Sequence, residues 1–177
     1  MRQIVLLRGI NVGPRNRIAM PALREVFRGA GFADVQTHLQ SGNIVLSSDL
    51  TQEELAATSS RLIRDAFALE IASVARTADE LAAVVALDPL GTSAVEPKRY
   101  LVTFLSEAHE ERMLERLRAL ARAPEELFAA GREIYSWHPA GIARSRLWNA
   151  IAAGRLGATS TSRNWATVSA LRALTEL

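Results

Sequence analysis

Residues 35–46 read VQTHLQSGNIVL, in which two short runs of strand-forming residues flank the turn sequence Ser41-Gly42-Asn43. Glycine and asparagine tolerate the positive backbone angles that tight turns require. The stretch therefore predicts a β-hairpin with strands at Val35–Leu39 and Ile44–Leu46. Upstream, Ile4–Leu7 is an apolar run that ends just before Gly9, which is typical of a buried strand. We expect this strand and the hairpin to share one sheet.

Helical signals separate these strands and follow them. Pro21 stands where the first turn of a helix tolerates proline. Thr51 followed by Glu54 matches the capping box that opens a helix, and Thr77 with Glu80 repeats the pattern. The resulting β-α-β-β-α-β order is that of a ferredoxin-like plait. The predicted elements are strand 4–7, helix 21–29, strands 35–39 and 44–46, a helix from residue 51, strand 71–74 and a helix that ends before Pro89.

The second half of the chain begins after a turn-rich stretch at residues 89–93, which we interpret as a linker. Its opening β-α-β-β-α order repeats that of the first half. We therefore predict an α+β protein of two ferredoxin-like subdomains, at residues 1–90 and 91–177, of which the second need not be complete. The predicted elements are strand 100–105, helix 107–121, strands 127–128 and 134–137, and two C-terminal helices near 145–153 and 162–174.

The composition is that of an ordinary globular protein. Of the 177 residues, 49% are hydrophobic and 23% are charged. No apolar run approaches the roughly 20 residues of a membrane helix. The first residues lack the apolar segment of a signal peptide, and cysteine is absent. We expect a cytoplasmic protein without a membrane partner.

The positive charge is almost all arginine, since Lys98 is the one lysine. The net charge of +2 is too small to indicate a dedicated nucleic-acid-binding protein. Two segments, residues 1–24 and 134–175, nevertheless contain arginine and no acidic residue, so they are the regions most suited to an anionic ligand. Their arginines are Arg2, Arg8, Arg15, Arg17 and Arg24 in the first segment and Arg144, Arg146, Arg155, Arg163 and Arg172 in the second.

The strand order of a plait brings two polar loops together. Its first two strands run parallel, so residues 8–17 and residues 40–43 are expected at the same end of the sheet. Guanidinium groups and free backbone N–H groups gathered there favour an anion. The alternative is that the glycines and asparagines serve only the turns. The candidate ligand-binding residues are Arg8, Asn11, Gly13, Arg15, Arg17, Ser41 and Asn43.

A second set of candidates lies in the C-terminal basic segment. The hydroxyl-rich run Thr159–Ser162 predicts the cap of a helix, with Arg163 and Asn164 in its first turn. An arginine at a helix N-terminus suits an anion, which makes Arg163, Asn164 and the similarly placed Arg146 candidates. The alternative is that the hydroxyl groups only cap their own helices.

Three motifs resemble those of a known family. Residues 6–13 read LLRGINVG, residues 40–43 read QSGN and residues 162–167 read SRNWAT. Together they resemble a family of bacterial proteins catalogued as a domain of unknown function, whose members carry LLRGINVGG, SGN and TRNW-type motifs. The resemblance spans nearly the whole chain and implies an α+β fold of ferredoxin-like plaits, but no known reaction. Pro14 and Ala166 depart from the family pattern, so it implies no ligand contact at either position.

No recognisable set of catalytic residues is present. His38, His109 and His138 are far apart and none has a second ligand at metal-binding spacing. Gly13 is not followed by the Lys and Ser/Thr of a phosphate-binding P-loop. We therefore predict neither a metal nor a cofactor, and the sequence alone leaves open whether the protein is an enzyme.

The favoured hypothesis is a protein that binds a phosphate-bearing or otherwise anionic ligand, such as a nucleotide or a nucleic-acid end. One alternative is a small-molecule enzyme that uses arginine and asparagine electrostatics without a covalent nucleophile. Another is a homo-oligomeric interaction module whose signature loops build an interface.

Overall fold

Each half of the chain forms a four-stranded antiparallel sheet. In the computed structural model, which describes residues 1–176, the chain divides into two units. The first comprises Met1–Ala82 together with the residues from Leu171 onward, and the second comprises Ala83–Ala170. The division thus falls at residue 82, inside a helix, whereas the sequence suggests residue 90.

The first unit contains the predicted ferredoxin-like plait. Its strands lie in the order β2-β3-β1-β4, and every neighbouring pair is antiparallel. The β-α-β-β-α-β chain order and this strand order confirm the α+β fold class. The elements are β1 (Arg2–Leu7), α1 (Met20–Gly29), β2 (Ala33–His38), β3 (Asn43–Ser47), α2 (Gln52–Phe67), β4 (Ser73–Thr77) and the first part of α3 (Ala78–Leu87), whose residues from Ala83 belong to the second unit.

The second unit repeats this architecture. Its strands lie in the order β6-β7-β5-β8, again with antiparallel neighbours. The predicted duplication is therefore correct, and the second plait is complete. The elements are β5 (Tyr100–Leu105), α4 (Glu111–Leu120), β6 (Glu126–Ala130), β7 (Glu133–Trp137), α5 (Arg146–Ala152), β8 (Ser160–Asn164) and the first part of α6 (Trp165–Thr175), whose residues from Leu171 belong to the first unit.

The strand β8 corrects the prediction of a helix from Ser162. Ser160–Asn164 pairs with β5, and the Thr103 and Ser162 hydroxyls lie 2.7 Å apart across the two strands. Hydroxyl side chains can be buried in a sheet when they form hydrogen bonds with each other. The sequence alone does not indicate which hydroxyl groups will pair in this way. The helix begins only after Asn164, whose Oδ1 accepts a hydrogen bond from the backbone N–H of Thr167 at 2.9 Å.

Both predicted capping boxes are present. Thr51 Oγ1 accepts from the Glu54 N–H, and Glu54 Oε2 accepts from the Thr51 N–H at 2.9 Å. Thr77 and Glu80 make the same reciprocal pair, at 3.1 and 2.8 Å. Each box satisfies two N–H groups that have no partner within the helix, so it fixes where the helix starts.

The core of each unit lies between its sheet and its helices. In the first, the β1 residues Val5 and Leu7 are fully buried in one cluster with residues of α1 and α2. In the second, Leu105 and Ile134 pack with residues of α4 and α5. Within residues 1–176, no helix has the length and apolar character needed to cross a membrane.

Two buried arginines occupy equivalent positions in the two units, which allows the units to be aligned residue by residue. Arg76 of β4 stands opposite Ile4 in β1, and Arg163 of β8 stands opposite Val102 in β5. Both are buried, and each donates from Nη1 to the carbonyl of the residue before it at 2.8 Å. The next residue in each case caps a helix. Ile4 and Val102, and the residues paired with them, are therefore structurally equivalent positions.

The hairpin glycines provide a matched test of the first plait. Gly42 has φ +79°, and a Cβ there would lie 2.6 Å from Ile10 Cδ1 and 2.9 Å from Leu7 Cβ. Gly131, in the corresponding hairpin, has φ +56° and no such neighbour closer than 4.0 Å. We expect Gly42→Ala to lower the free energy of unfolding by about 2–5 kcal/mol through backbone strain and overpacking.

Gly131→Ala serves as the control, because it incurs only the backbone strain, about 1–2 kcal/mol. Urea denaturation followed by circular dichroism compares the two variants with the wild type. Equal losses of stability in both would contradict the close packing around Gly42.

Candidate functional site

The two polar loops of the first unit meet as predicted. We call residues 8–19, between β1 and α1, the N-terminal loop. The Asn11 Nδ2 of this loop donates to the carbonyl of Gln40 in the hairpin turn at 2.8 Å. The same amide donates to the Ile18 carbonyl at 3.0 Å, and its Oδ1 accepts from the Ile18 N–H at 2.9 Å. Asn11 therefore closes its own loop and holds it against the hairpin.

The other asparagines at this end also build the loops. Asn43 is fully buried, and its Nδ2 donates to the His38 carbonyl at 2.6 Å and to Ser41 Oγ at 3.1 Å. Asn16 Nδ2 donates to the Gly9 carbonyl at 3.3 Å. These side-chain amides hold the turns in shape. The remaining candidates for ligand binding in these two loops are therefore the arginines, Gly13 and Ser41.

The charged candidates of the N-terminal loop differ in exposure. Arg15 and Arg17 are exposed, as are Gly13 and Ser41, whereas Arg8 is half-buried. The N-terminal loop thus presents two arginines to solvent on a backbone that is fixed from within by Asn11.

A concave site lies in the second unit. A groove of about 490 Å³ opens between the connection from α4 to β6 and the loop from β7 to α5. We call it the arginine groove, because three arginines line it. Small apolar residues form much of the rest of its wall. The lining residues are Arg122, Ala123, Pro124, Glu125, Pro139, Ala140, Gly141, Ala143, Arg144, Ser145 and Arg146.

Among residues 1–176, the three arginines of the groove have no carboxylate partner. Arg122, Arg144 and Arg146 are all exposed. Across residues 1–176, none of their guanidinium groups makes an ion pair or a hydrogen bond. Three like charges around one groove repel each other, and an anion bound among them offsets that repulsion.

A closed polar network forms the floor of the arginine groove. His138 is fully buried, and its Nδ1 lies 3.1 Å from Glu125 Oε1 and 3.2 Å from Ser145 Oγ. Its Nε2 lies 2.9 Å from Ser136 Oγ. Glu125 Oε2 accepts from the Arg122 N–H at 3.1 Å. The network ties the two segments that form the groove to each other.

The one carboxylate of the groove is occupied by this network. Burial alone would raise the pKa of Glu125, but hydrogen bonds from Ser145, the Arg122 N–H and His138 outweigh it and lower the pKa. Glu125 is therefore ionised at neutral pH, and its side chain is only 13% exposed. Its oxygens face the network, and its one negative charge is outnumbered by the three guanidinium groups that line the same groove.

Ser136, His138 and Glu125 are in contact in the same arrangement as a hydrolase triad. The serine hydroxyl lies at His138 Nε2 and the carboxylate lies at Nδ1. Ser136 has no exposed surface, so its hydroxyl cannot reach a substrate. Ser145 lines the groove, but its Oγ accepts from the Trp148 N–H at 2.9 Å and so caps α5. The cluster stabilises the groove and supplies no accessible nucleophile.

The C-terminal candidates separate into two groups. Arg146 lines the arginine groove, and its role as an anion ligand stays a prediction. Arg163 is buried in β8, where its Nη1 donates to Thr161 Oγ1 and to the Ser162 carbonyl, both at 2.8 Å. Burial lowers the pKa of Arg163 to about 10. Asn164 caps α6, so neither Arg163 nor Asn164 stands at an exposed helix N-terminus.

Sequence reasoning missed Arg122, Arg144 and the Glu125–His138 pair. Arg144 lies two residues before Arg146 in the same acid-free segment, so this signal was available. Arg122 and Glu125 come from a different connection, and only the pairing of β6 with β7 brings them beside His138. No group of three or more metal-binding side chains occurs in the part of the chain that the structure describes.

Comparison with known proteins gives a family without an assigned activity. Residues 1–135 match the model of a family described as "Protein of unknown function (DUF1697)". The structure is similar to that of the conserved bacterial protein SP0830 from Streptococcus pneumoniae, with a TM-score of 0.78 and 19% sequence identity over 98% of each chain. No curated protein matches the chain. At this level of identity the structural similarity shows a shared fold.

The buried histidine makes stability depend on pH. Burial is the main cause that lowers the pKa of His138, against the opposing effect of Glu125. The unfolded chain, with a histidine pKa of about 6.5, therefore takes up the proton first as the pH falls. We expect the free energy of unfolding to decrease as the pH is lowered from about 7 to about 5, and His138→Gln to flatten this decrease.

Chemical denaturation at a series of pH values measures the effect, and His109→Gln controls for the loss of a histidine elsewhere in the same unit. The variants are compared by how steeply the free energy of unfolding changes with pH, so a loss of stability that is equal at every pH does not affect the comparison. An unchanged pH dependence in His138→Gln would rule out His138 as its cause.

Proposed function

We propose that this chain, which belongs to the DUF1697 family of proteins of unknown function, binds a small anionic ligand in the arginine groove. The observation that carries the proposal is the set of three exposed guanidinium groups, at Arg122, Arg144 and Arg146, around one groove with no ion-pair partner within residues 1–176. Guanidinium groups bind phosphate and carboxylate with paired, charge-assisted hydrogen bonds.

The dimensions of the groove favour a small molecule. Its volume of about 490 Å³ lies within the range of roughly 300–1,000 Å³ that is usual for ligand pockets. The alanines and prolines of its wall suit an apolar portion of the ligand, while the arginines suit its anionic group. A nucleotide or another phosphorylated metabolite combines these features, and so does the terminal phosphate of a nucleic acid.

The floor of the groove supports a preorganised site. Because Glu125, His138 and Ser145 bond one another, the segments that carry the three arginines are held together before a ligand arrives. Preorganisation reduces the entropy lost on binding. The Glu125 carboxylate keeps its negative charge in this network, so the three arginines attract an anion against the repulsion of one carboxylate.

A reporter of binding is present beside the groove. The Trp148 ring packs edge-on against His138, with ring centroids 6.1 Å apart, and its backbone N–H bonds Ser145 Oγ. Tryptophan fluorescence can therefore follow titration with inorganic phosphate, nucleoside mono-, di- and triphosphates, and short 5′-phosphorylated oligonucleotides. Trp148→Phe shows which part of the signal comes from this residue.

We expect Arg144→Ala and Arg146→Ala each to weaken binding of the tightest of these probes about tenfold to a hundredfold, the usual effect of losing a hydrogen bond to a charged group. Arg112→Ala, at an exposed position on α4, removes the same charge away from the groove and should leave the affinity nearly unchanged. Added salt should weaken binding in the wild type by screening the arginines.

The N-terminal loop is tested in the same titrations. Arg8→Ala and the double variant Arg15→Ala/Arg17→Ala should retain the affinity of the wild type. A loss in these variants alone would transfer the site to the N-terminal loop. If no probe binds, or if binding is indifferent both to salt and to Arg144 and Arg146, the proposal is wrong.

A further inference from the structure

The walls of the arginine groove bear on the part of the ligand that is not anionic. Apart from its three arginines, Glu125 and Ser145, the lining consists only of alanine, proline and glycine. Side chains of these types carry no hydrogen-bonding group. A bound molecule therefore meets methyl and methylene groups wherever it does not meet a guanidinium or a backbone group. These lining residues are Ala123, Pro124, Pro139, Ala140, Gly141 and Ala143.

The two other polar side chains of the lining are already engaged. Glu125 Oε1 lies 3.1 Å from His138 Nδ1, and Oε2 accepts from the Arg122 N–H at 3.1 Å. Ser145 is buried, and its Oγ accepts from the Trp148 N–H at 2.9 Å. Sugar hydroxyl groups need hydrogen-bond acceptors, and the lining residues, all within residues 1–176, include no further side chain that could accept.

The groove also lacks a surface on which a nucleotide base could stack. Bases are commonly held against an aromatic ring. Among the lining residues, which all belong to the described part of the chain, none is aromatic. The neighbouring Trp148 ring packs edge-on against His138 and is not part of the lining. The groove thus combines a cationic site with walls that do not suit a nucleoside.

The charge of the groove matches a doubly charged head group. Its three guanidinium groups lie beside one ionised carboxylate, that of Glu125, which leaves an excess of two positive charges. A phosphate monoester carries a charge of about −1.5 to −2 at neutral pH, whereas a carboxylate carries a single negative charge. A phosphate also offers three oxygens to the planar guanidinium groups. A phosphate monoester is therefore the better match.

We propose that the ligand of the arginine groove is the phosphate monoester of an aliphatic chain. It is a free molecule, whose phosphate lies among the three arginines and whose chain lies along the alanines and prolines. The inference rests on the proposed function and narrows it, since it selects one kind of ester from those that charge and volume allow. A hydrocarbon chain gains affinity from the apolar area removed from water and loses no hydrogen bond on entering the groove. The hydroxyl groups of a nucleoside would lose theirs.

Isothermal titration calorimetry with methyl, butyl, hexyl and octyl phosphate tests the proposal. We expect the dissociation constant to fall about twofold to fourfold with each added methylene group that contacts the wall. The heat capacity change on binding should become more negative along the series, because more apolar surface is buried. Adenosine and uridine monophosphate should bind no more tightly than methyl phosphate. Octanoate should bind at least about tenfold more weakly than octyl phosphate.

Two variants test where the chain lies. Ala140→Asn and Ala143→Asn each place a polar amide at an exposed position of the lining, so the fold should tolerate both. We expect each to weaken binding of octyl phosphate at least about fivefold and to leave binding of methyl phosphate nearly unchanged. Ala108→Asn makes the same change at an exposed position outside the groove, and it should bind both probes like the wild type.

An affinity that does not rise with chain length overturns this inference. The proposed function then still stands if methyl phosphate binds through Arg144 and Arg146. Nucleoside monophosphates that bind more tightly than octyl phosphate also overturn the inference, as does octanoate that binds as tightly as octyl phosphate. If none of the phosphates binds, the proposed function is wrong as well.

A membrane lipid would be a different source of the same head group. Co-sedimentation with phosphatidylcholine vesicles that contain phosphatidic acid, without binding of the soluble alkyl phosphates, overturns the inference. A phosphate at a membrane surface keeps its chain in the lipid, so such binding would not use the walls of the groove. We expect the soluble alkyl phosphates to bind and the vesicles not to carry the protein into the pellet.

Discussion

The central position of β1, hydrogen-bonded to β3 on one side and to β4 on the other, is the constraint on which the first unit depends. Gln3–Leu7 are all buried, so neither edge and neither face of this strand can meet a ligand. β5 has the same position between β7 and β8. Polar chemistry is therefore displaced to the ends of the sheets and to the loops, and the strand order decides which loops become neighbours.

Within the second unit, the network of Glu125, His138 and Ser145 determines what the nearby loops can do. A buried histidine and a nearly buried carboxylate would be costly alone, but together they satisfy one another and join two segments distant in sequence. The Glu125 carboxylate stays ionised in this network, and the groove is positive because three arginines line it beside this one acid. The network thus joins the two segments that carry the arginines.

Much of the fold was readable because its signals are local. The capping boxes at Thr51 and Thr77, the hairpin at Gly42 and the strand Tyr100–Leu105 each depend on neighbouring residues, and the structure has them where the sequence placed them. The error at Ser160–Asn164 has a different cause. The hydroxyl groups of β8 resemble a helix cap in sequence, and only pairing with β5 makes them a strand.

The sequence by itself determined the two plaits, the meeting of the N-terminal loop with the hairpin, and an acid-free segment that includes Arg144 and Arg146. These follow from backbone preferences and strand order, which act over short distances or through topology alone. Only the tertiary structure decided that Asn11 and Asn43 support the loops, that Arg163 is buried, and that Arg122 and Glu125 join His138 at one groove. The role of such a side chain depends on the partners that folding brings to it. Glu125 and His138 are 13 positions apart, and no sequence pattern indicates that they are in contact.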